Sequence, residues 1–230
     1  MEKNSKELKD SVAIIGIGAT HASFGIVARL LQQGATVVVP LQSSHHLEPL
    51  QQYLADYNTA KLVTFLTDLP DYDKAVALAE CIIDEYGRLD IAVFPFDYLS
   101  VNASLSDISI EQWQRAVEEN LAVYFICCRA VINAMKKKGD GMFIALIDAD
   151  GLSQQSGNAM TDMLMTGQVK MARSFFEEVS NTGVKFHHLF IENLVTPDMI
   201  GWYILALHND ERKSGTSPFL FYMGKNPDSN

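Results

Sequence analysis

The run Val12-Ala13-Ile14-Ile15-Gly16-Ile17-Gly18-Ala19-Thr20-His21-Ala22-Ser23-Phe24-Gly25 decides the architecture. It passes from an apolar, β-branched stretch through glycine and small residues into an amphipathic segment, the pattern of a buried parallel strand turning into a helix. Glycines at such a turn let the backbone approach a ligand. The helix start offers free N–H donors and the positive end of its dipole to an anion such as a pyrophosphate. A tight turn with no ligand is spelled the same way, so the run establishes a strand-to-helix unit and leaves its chemistry open.

The alternation continues outward from this unit. Strand patterns fall at 12–17, 36–41, 61–66, 89–94, 141–147, 184–190 and 218–222, and helical patterns at 23–33, 47–56, 71–86, 110–138, 157–180 and 197–207. Gly34, Gly87 and Gly139 stop three of these helices and Asp71 opens one. Strands joined by helices must cross over right-handedly, so the order implies an α/β fold: a doubly wound parallel sheet of about seven strands with helices on both faces. Ligands of such sheets sit outside the carboxyl ends of the strands.

At 230 residues the chain is one large domain by the measure of about 150 residues per domain. It is read as a single unit, 1–230, with loose ends at 1–10 and 225–230. With 48 % hydrophobic and 20 % charged residues it is not a disordered chain. The net charge of −10 opposes a phosphate backbone and argues against nucleic acid as a partner. The longest apolar runs, 12–19, 121–128 and 142–147, fall short of the ~18 residues that a spanning helix needs, so no membrane is expected. Glu2, Glu7 and Asp10 spoil the positive start of a secretory signal, which makes the expected location cytoplasmic. Cys81, Cys127 and Cys128 have no metal-ligand spacing and suit a reducing compartment.

Several landmarks fall in an order that resembles the short-chain dehydrogenase/reductase family over residues 11–223: Gly34-Ala35, Asp68-Leu69, Leu89-Asp90-Ile91, Glu119-Asn120-Leu121 and Thr196-Pro197. The resemblance implies a single-domain Rossmann fold, NAD or NADP as cofactor, and an oxidoreductase activity. The nine residues from Gly25 to Gly34, with Ser23-Phe24-Gly25-Ile26 and Gln42, are similar to the enoyl-acyl-carrier-protein reductase branch. On this basis the cofactor-binding positions are Gly16, Gly18, Ser23, Gly25, Gln42, Asp68, Leu69 and Thr196. No acidic residue stands at 40–44 to take the ribose hydroxyls and no arginine to take a 2′-phosphate, so NAD and NADP are not distinguished. His45 and His46 read as solvated groups at a helix start.

The departures from the family concern its chemistry. Relatives place Asn-Asn-Ala-Gly after the fourth strand, and this chain has Phe94-Pro95-Phe96-Asp97. Turned inward the two rings narrow the cofactor groove; turned away they pack under the sheet. Relatives use Tyr as the proton donor, a Lys that lowers its pKa and holds the nicotinamide ribose, a Ser that orients the carbonyl, and an Asn. By register Asp148 takes the Ser position, Thr161 the Tyr position and Met165 the Lys position, and Asn120 alone matches. Tyr57-x3-Lys61 repeats the motif on the wrong side of the topology. Lys170 lies about 140° around the helix from the expected lysine. A threonine hydroxyl cannot supply the proton of a phenol, and a thioether has neither charge nor donor. The connection after Pro197 is too short for a generous substrate lid.

Three readings follow: a non-catalytic or repurposed dinucleotide-binding protein or partner subunit, with weak NAD or NADP binding; an oxidoreductase that uses Asp148 as its proton-transfer group; and a Rossmann-like scaffold that binds no nucleotide. Self-association as a homodimer or homotetramer is expected through the helices at 110–138 and 157–180, on Phe125, Ile126, Met160, Met163, Phe175 and Phe176.

Overall fold

Seven parallel strands form one sheet in the order β3-β2-β1-β4-β5-β6-β7, with β1 (Val12–Ile15) near the middle. The computed structural model describes residues 8–16, 22–96, 103–148, 159–191, 195–209 and 217–222. The other strands are β2 (Thr36–Leu41), β3 (Leu62–Leu66), β4 (Ile91–Phe96), β5 (Gly141–Asp148), β6 (Val184–Ile191) and β7 (Phe219–Tyr222). The helices are α1 (Ala22–Gln32), α2 (Leu47–Tyr53), α3 (Tyr72–Tyr86), α4 (Ile110–Ala116), α5 (Val123–Lys138), α6 (Ala159–Val179) and α7 (Pro197–His208). They cover both faces. Ala13 and Ile15 point into the layer of α1, α2 and α7, while Val12 and Ile14 point into the layer of α3, α5 and α6. Because β1 is buried on both sides, it reads as a continuous apolar run rather than an alternating one.

Local chemistry sets the helix ends. The Asp71 carboxylate accepts from the backbone N–H of Asp73 and of Lys74 at the start of α3, and Gly87 closes that helix at φ +76°. Gly139, also at φ +76°, ends α5. Ser109 opens α4 in a reciprocal pair with Gln112, each side chain accepting from the other residue's backbone N–H. The long helix expected over 110–138 is interrupted. Residues Val117–Ala122 form a π-helical segment, within which the Asn120 side-chain amide donates to the Ala116 carbonyl at 2.7 Å. The helix expected over 47–56 is shorter and follows a single 3-10 turn, Ser44–His46. The fourth strand starts two residues later than expected. Asp90 precedes it, its carboxylate accepting from Val12 N–H at 2.7 Å and from the Arg88 guanidinium. It runs on through Pro95 and Phe96.

Helices α1 and α7 interlock. A Cβ on Gly25 would lie 2.2 Å from the Pro197 carbonyl carbon, and one on Gly201 would lie 2.8 Å from both Arg29 Cβ and the Gly25 oxygen. On the opposite face aromatic rings run from strand to strand. Phe94 stacks on Phe143 at 5.7 Å between centroids, Phe143 on Phe186 at 5.6 Å, and Phe96 tilts onto Tyr124 at 4.7 Å. Of the two orientations left open for Phe94 and Phe96, the fold takes the one beneath the sheet.

The list of residues for self-association needs correction. Met160 is fully buried where α6 meets the π segment, and Phe175 is buried against Phe186, so neither is surface. Ile126, Met163 and Phe176 are half-buried, whereas Phe125, Trp113 and Ile110 are exposed.

Candidate functional site

The carboxyl ends of the strands carry the residues singled out above. Gly16 directly follows β1, and its N–H donates to the Val93 carbonyl at 2.8 Å. The Phe94 ring lies against it: a Cβ on Gly16 would come within 2.8 Å of Phe94 Cδ1. Gly25 is likewise explained by Pro197. Two of the three glycines assigned to a phosphate loop therefore answer to packing inside the chain. Gly18 lies outside the described residues, as does Asp97.

Ser23 sits in the first turn of α1 with no exposure, and its hydroxyl makes no hydrogen bond. Side chains on a helix tilt toward its N-terminus, so this hydroxyl leans toward the end where the free backbone N–H groups gather. Gln42 is exposed just past β2. Asp68, past β3, is also exposed, with Lys74 Nζ 3.6 Å from its carboxylate, and Leu69 beside it is half-buried against the α3 layer. Thr196 caps α7, its Oγ1 accepting from Met199 N–H at 3.4 Å, with Pro197 in the first turn.

The second half of the edge is built differently. Asn120 is buried in the π segment, and α6 crosses that segment so closely that a Cβ on Gly167 would lie 2.9 Å from Leu121 Cδ2. Thr161 and Met165 are both buried in the first turns of α6, and Lys170 is exposed. Asp148 is the last residue of β5, in register with Ile191 of β6. Tyr124, one turn beyond Asn120, is fully buried. Its hydroxyl meets His188 Nδ1 at 3.1 Å beneath the sheet, away from the edge. Tyr203 is buried on the other face, stacked on Tyr222 at 4.4 Å. The Tyr57 to Lys61 repeat serves structure, since Lys61 Nζ donates to the carbonyls of Lys9 and Gly34.

Sequence reasoning passed over the two histidines of β6. His187 faces the α1 and α7 layer and His188 the α5 and α6 layer, and each has one ring nitrogen, Nδ1 and Nε2 respectively, without a partner. Burial lowers both pKa values to about 4, with Lys185 adding to the effect on His187. A His-His pair inside a largely apolar strand was the available signal. Burial also raises the Cys127 thiol to about 12 and holds Cys128 well above its ordinary value, so both thiols are unreactive packing groups. Among the described residues no cluster of His, Cys, Asp or Glu could hold a metal ion, and no helix is long and apolar enough to cross a membrane.

Comparison with known proteins accords with this architecture. The model of the short chain dehydrogenase family matches residues 12–190. The chain is 26 % identical over 188 residues to sorbitol-6-phosphate 2-dehydrogenase of Escherichia coli, covering 81 % of this chain and 72 % of that one. It is 26 % identical over 210 residues to a 3-oxoacyl-[acyl-carrier-protein] reductase of Vibrio cholerae, covering 91 % and 81 %. Among solved structures, levodione reductase superposes with a TM-score of 0.80 at 15 % identity, over 94 % of this chain and 97 % of that one. A metagenomic short-chain oxidoreductase in complex with NADP superposes with a TM-score of 0.78 at 18 % identity, over 96 % and 100 %.

Proposed function

The chain belongs to the short chain dehydrogenase family, and from that premise we propose that it is a repurposed nucleotide-binding member with weak affinity for NAD or NADP and without tyrosine-dependent carbonyl reduction. One observation carries the reading. Thr161 and Met165, which the sequence register assigns to the family's proton donor and its lysine, are both buried in α6, and on that assignment neither can donate a proton near pH 7 or hold a ribose by charge. Tyr124 and Tyr203 are no substitutes, because both hydroxyls lie inside the fold. Losing one positioned acid–base group typically forfeits ~10² to 10⁴ in rate. Residues that act as a unit fail together, so Asn120 is left with nothing to support.

Weak binding follows from what remains on the other half: Ser23 in the first turn of α1, with Gln42 and Asp68 beyond β2 and β3. The test is a titration of the purified protein with NADH and NADPH followed by nicotinamide fluorescence. It is coupled to a screen of aldehydes, ketones, secondary alcohols and enoyl thioesters. Micromolar or weaker binding with no turnover is expected. Turnover that survives Asp148→Ala and Thr161→Ala would defeat both this reading and the use of Asp148 as proton-transfer group.

A specific observation favours a second reading, a scaffold that binds no nucleotide. Gly16 and Gly25 are already accounted for by Phe94 and Pro197. Absence of any binding in the same titration selects it. Self-association through the exposed side chains of α4 and α5 is proposed alongside, with a second copy of this chain as partner. The cell interior is the proposed location.

A further inference from the structure

Among the described residues the sheet ends at β3, which pairs with β2 alone. Val37 N–H donates to the Lys61 carbonyl and Thr67 N–H to the Leu41 carbonyl, so in this parallel ladder the backbone groups of Lys61, Val63, Phe65 and Thr67 face inward. Leu62, Thr64 and Leu66 direct theirs outward. The Leu62 N–H is spent on the Thr59 carbonyl, but among the described residues nothing meets the N–H or carbonyl groups of Thr64 and Leu66. An open strand edge is a template for pairing, and folds guard it with a charge, a proline or a bulge. Leu62-Val63-Thr64-Phe65-Leu66 has none of these: its register with β2 is unbroken, and the adjoining Lys61 is turned onto the carbonyls of Lys9 and Gly34. Thr64 is exposed and Leu66 is 73 % exposed. Beside this edge lies a cavity of about 360 Å³, walled by Leu47, Leu54 and Tyr57 on one side and by Leu62 and Thr64 of the strand on the other.

We infer that β3 pairs with β3 of a second copy of this chain, antiparallel about a two-fold axis at Thr64, joining the two sheets edge to edge. The strand's own sequence selects that occupant and that register. Residues opposite one another in an antiparallel pair share a face, and faces alternate along a strand, so a two-fold pairing is centred on a residue. Centred on Thr64, it sets Thr64 against Thr64 and Leu62 against Leu66 of the copy, which uses all three outward residues within the strand. Moved by one residue, it sends Leu66 to Ala60 or Leu62 to Asp68. Two main-chain hydrogen bonds form between the two Thr64 residues, and each Leu66 N–H donates to the Leu62 carbonyl of the other copy. On the face toward α2, Leu66 of the copy stands with its Cβ about 5 Å from that of Leu62, over the cavity, and its exposed side chain gains a cover. On the opposite face Val63 meets Phe65, a favourable β-branched and aromatic pair. At the ends Lys61 meets Thr67 and Asp68 meets Ala60, so no like charges are opposed. The contact is separate from the one through α4 and α5 and stands whether or not a nucleotide binds.

The test uses the full chain with Phe125→Asp, which removes the α5 contact, and with Cys81→Ser, which removes the exposed native thiol. In this background Thr64→Cys brings two Cα atoms to about 5.5 Å across the axis, within disulfide reach, whereas Leu66→Cys leaves them roughly 14 Å apart. Mild oxidation at micromolar concentration is expected to yield a covalent dimer from Thr64→Cys and at least tenfold less from Leu66→Cys. Sedimentation of the parent chain is expected to show dimers. Leu66→Lys changes only an exposed side chain, and Thr64→Pro removes an N–H that faces away from β2 at a position where an edge strand tolerates proline. Each is expected to weaken the dimer tenfold or more. A monomeric parent chain, or dimers that neither substitution weakens, would overturn the inference. Cross-linking of Leu66→Cys as efficient as that of Thr64→Cys would overturn the register.

Discussion

Acidification should unfold this protein by way of β6. His187 and His188 are 2 % and 0 % exposed and face opposite layers, and their pKa values fall from 6.5 to about 4 on folding. Between those limits the unfolded chain binds protons that the native one refuses. The stability associated with the neutral rings is complete above pH 6.5, declines as pH falls toward 4, and is gone below it. Each histidine contributes a slope of about 1.4 kcal/mol per pH unit within the window, so lowering the pH from 8 to 5 costs about 2 kcal/mol per residue and about 4 kcal/mol for the pair. Tyr124 of α5 meets His188, and neither α5 nor α6 presents a carboxylate among its buried residues. No acid there can stabilise an imidazolium. Urea unfolding at pH 8, 7, 6 and 5 measures the slope, and His188→Phe, a ring of similar size among Phe190, Phe219 and Tyr124, should halve it. The offset between the two proteins at pH 8 is immaterial. If both show the same dependence on pH between 7 and 5, His188 takes up no proton on unfolding and the argument fails.

Three further outcomes are expected. Gly25→Ala pushes a methyl group into the Pro197 backbone, where no rotamer can relieve it, and should cost about 3 kcal/mol or more by urea unfolding; a change below about 1 kcal/mol would mean that α1 and α7 part easily. Asp90→Ala leaves Val12 N–H and the Arg88 guanidinium without their shared partner and should cost about 3 kcal/mol in the same assay. Sedimentation at micromolar concentration should show dimers or tetramers that Phe125→Asp weakens, and a strictly monomeric profile would refute self-association through α5.

Much of the architecture was legible because its signals are local. Apolar runs rich in β-branched or aromatic residues marked all seven strands, and Gly87 and Gly139 marked helix ends that the left-handed backbone confirms. The π segment was not legible: Val117-Glu118-Glu119-Asn120-Leu121-Ala122 keeps ordinary helical periodicity, and one widened turn disappears in that average. The orientation of Phe94 and Phe96 was hidden for another reason. A central strand is apolar on both faces, so alternation carries no label for which side is which. Gly16 and Gly25 spelled a phosphate loop, while the atoms that require them to be glycines belong to Phe94 and Pro197, far off in sequence. At the candidate site the register of Asn120, Thr161 and Met165 came from the sequence. The unpartnered hydroxyl of Ser23 and the buried pair on β6 needed coordinates, since burial without a hydrogen bond is a property of surroundings.

The interlock of α1 with α7 also sets a timetable for synthesis. Pro197 follows Gly25 by 172 positions, and ribosomes add roughly 5 to 20 residues per second. The apolar outer flank of α1 therefore waits on the order of ten to thirty seconds for its cover, with β1 and β2 already made beneath it. Any product that terminates before α7 presents that flank permanently, so nascent and truncated chains, rather than the finished protein, are the forms that most need a chaperone.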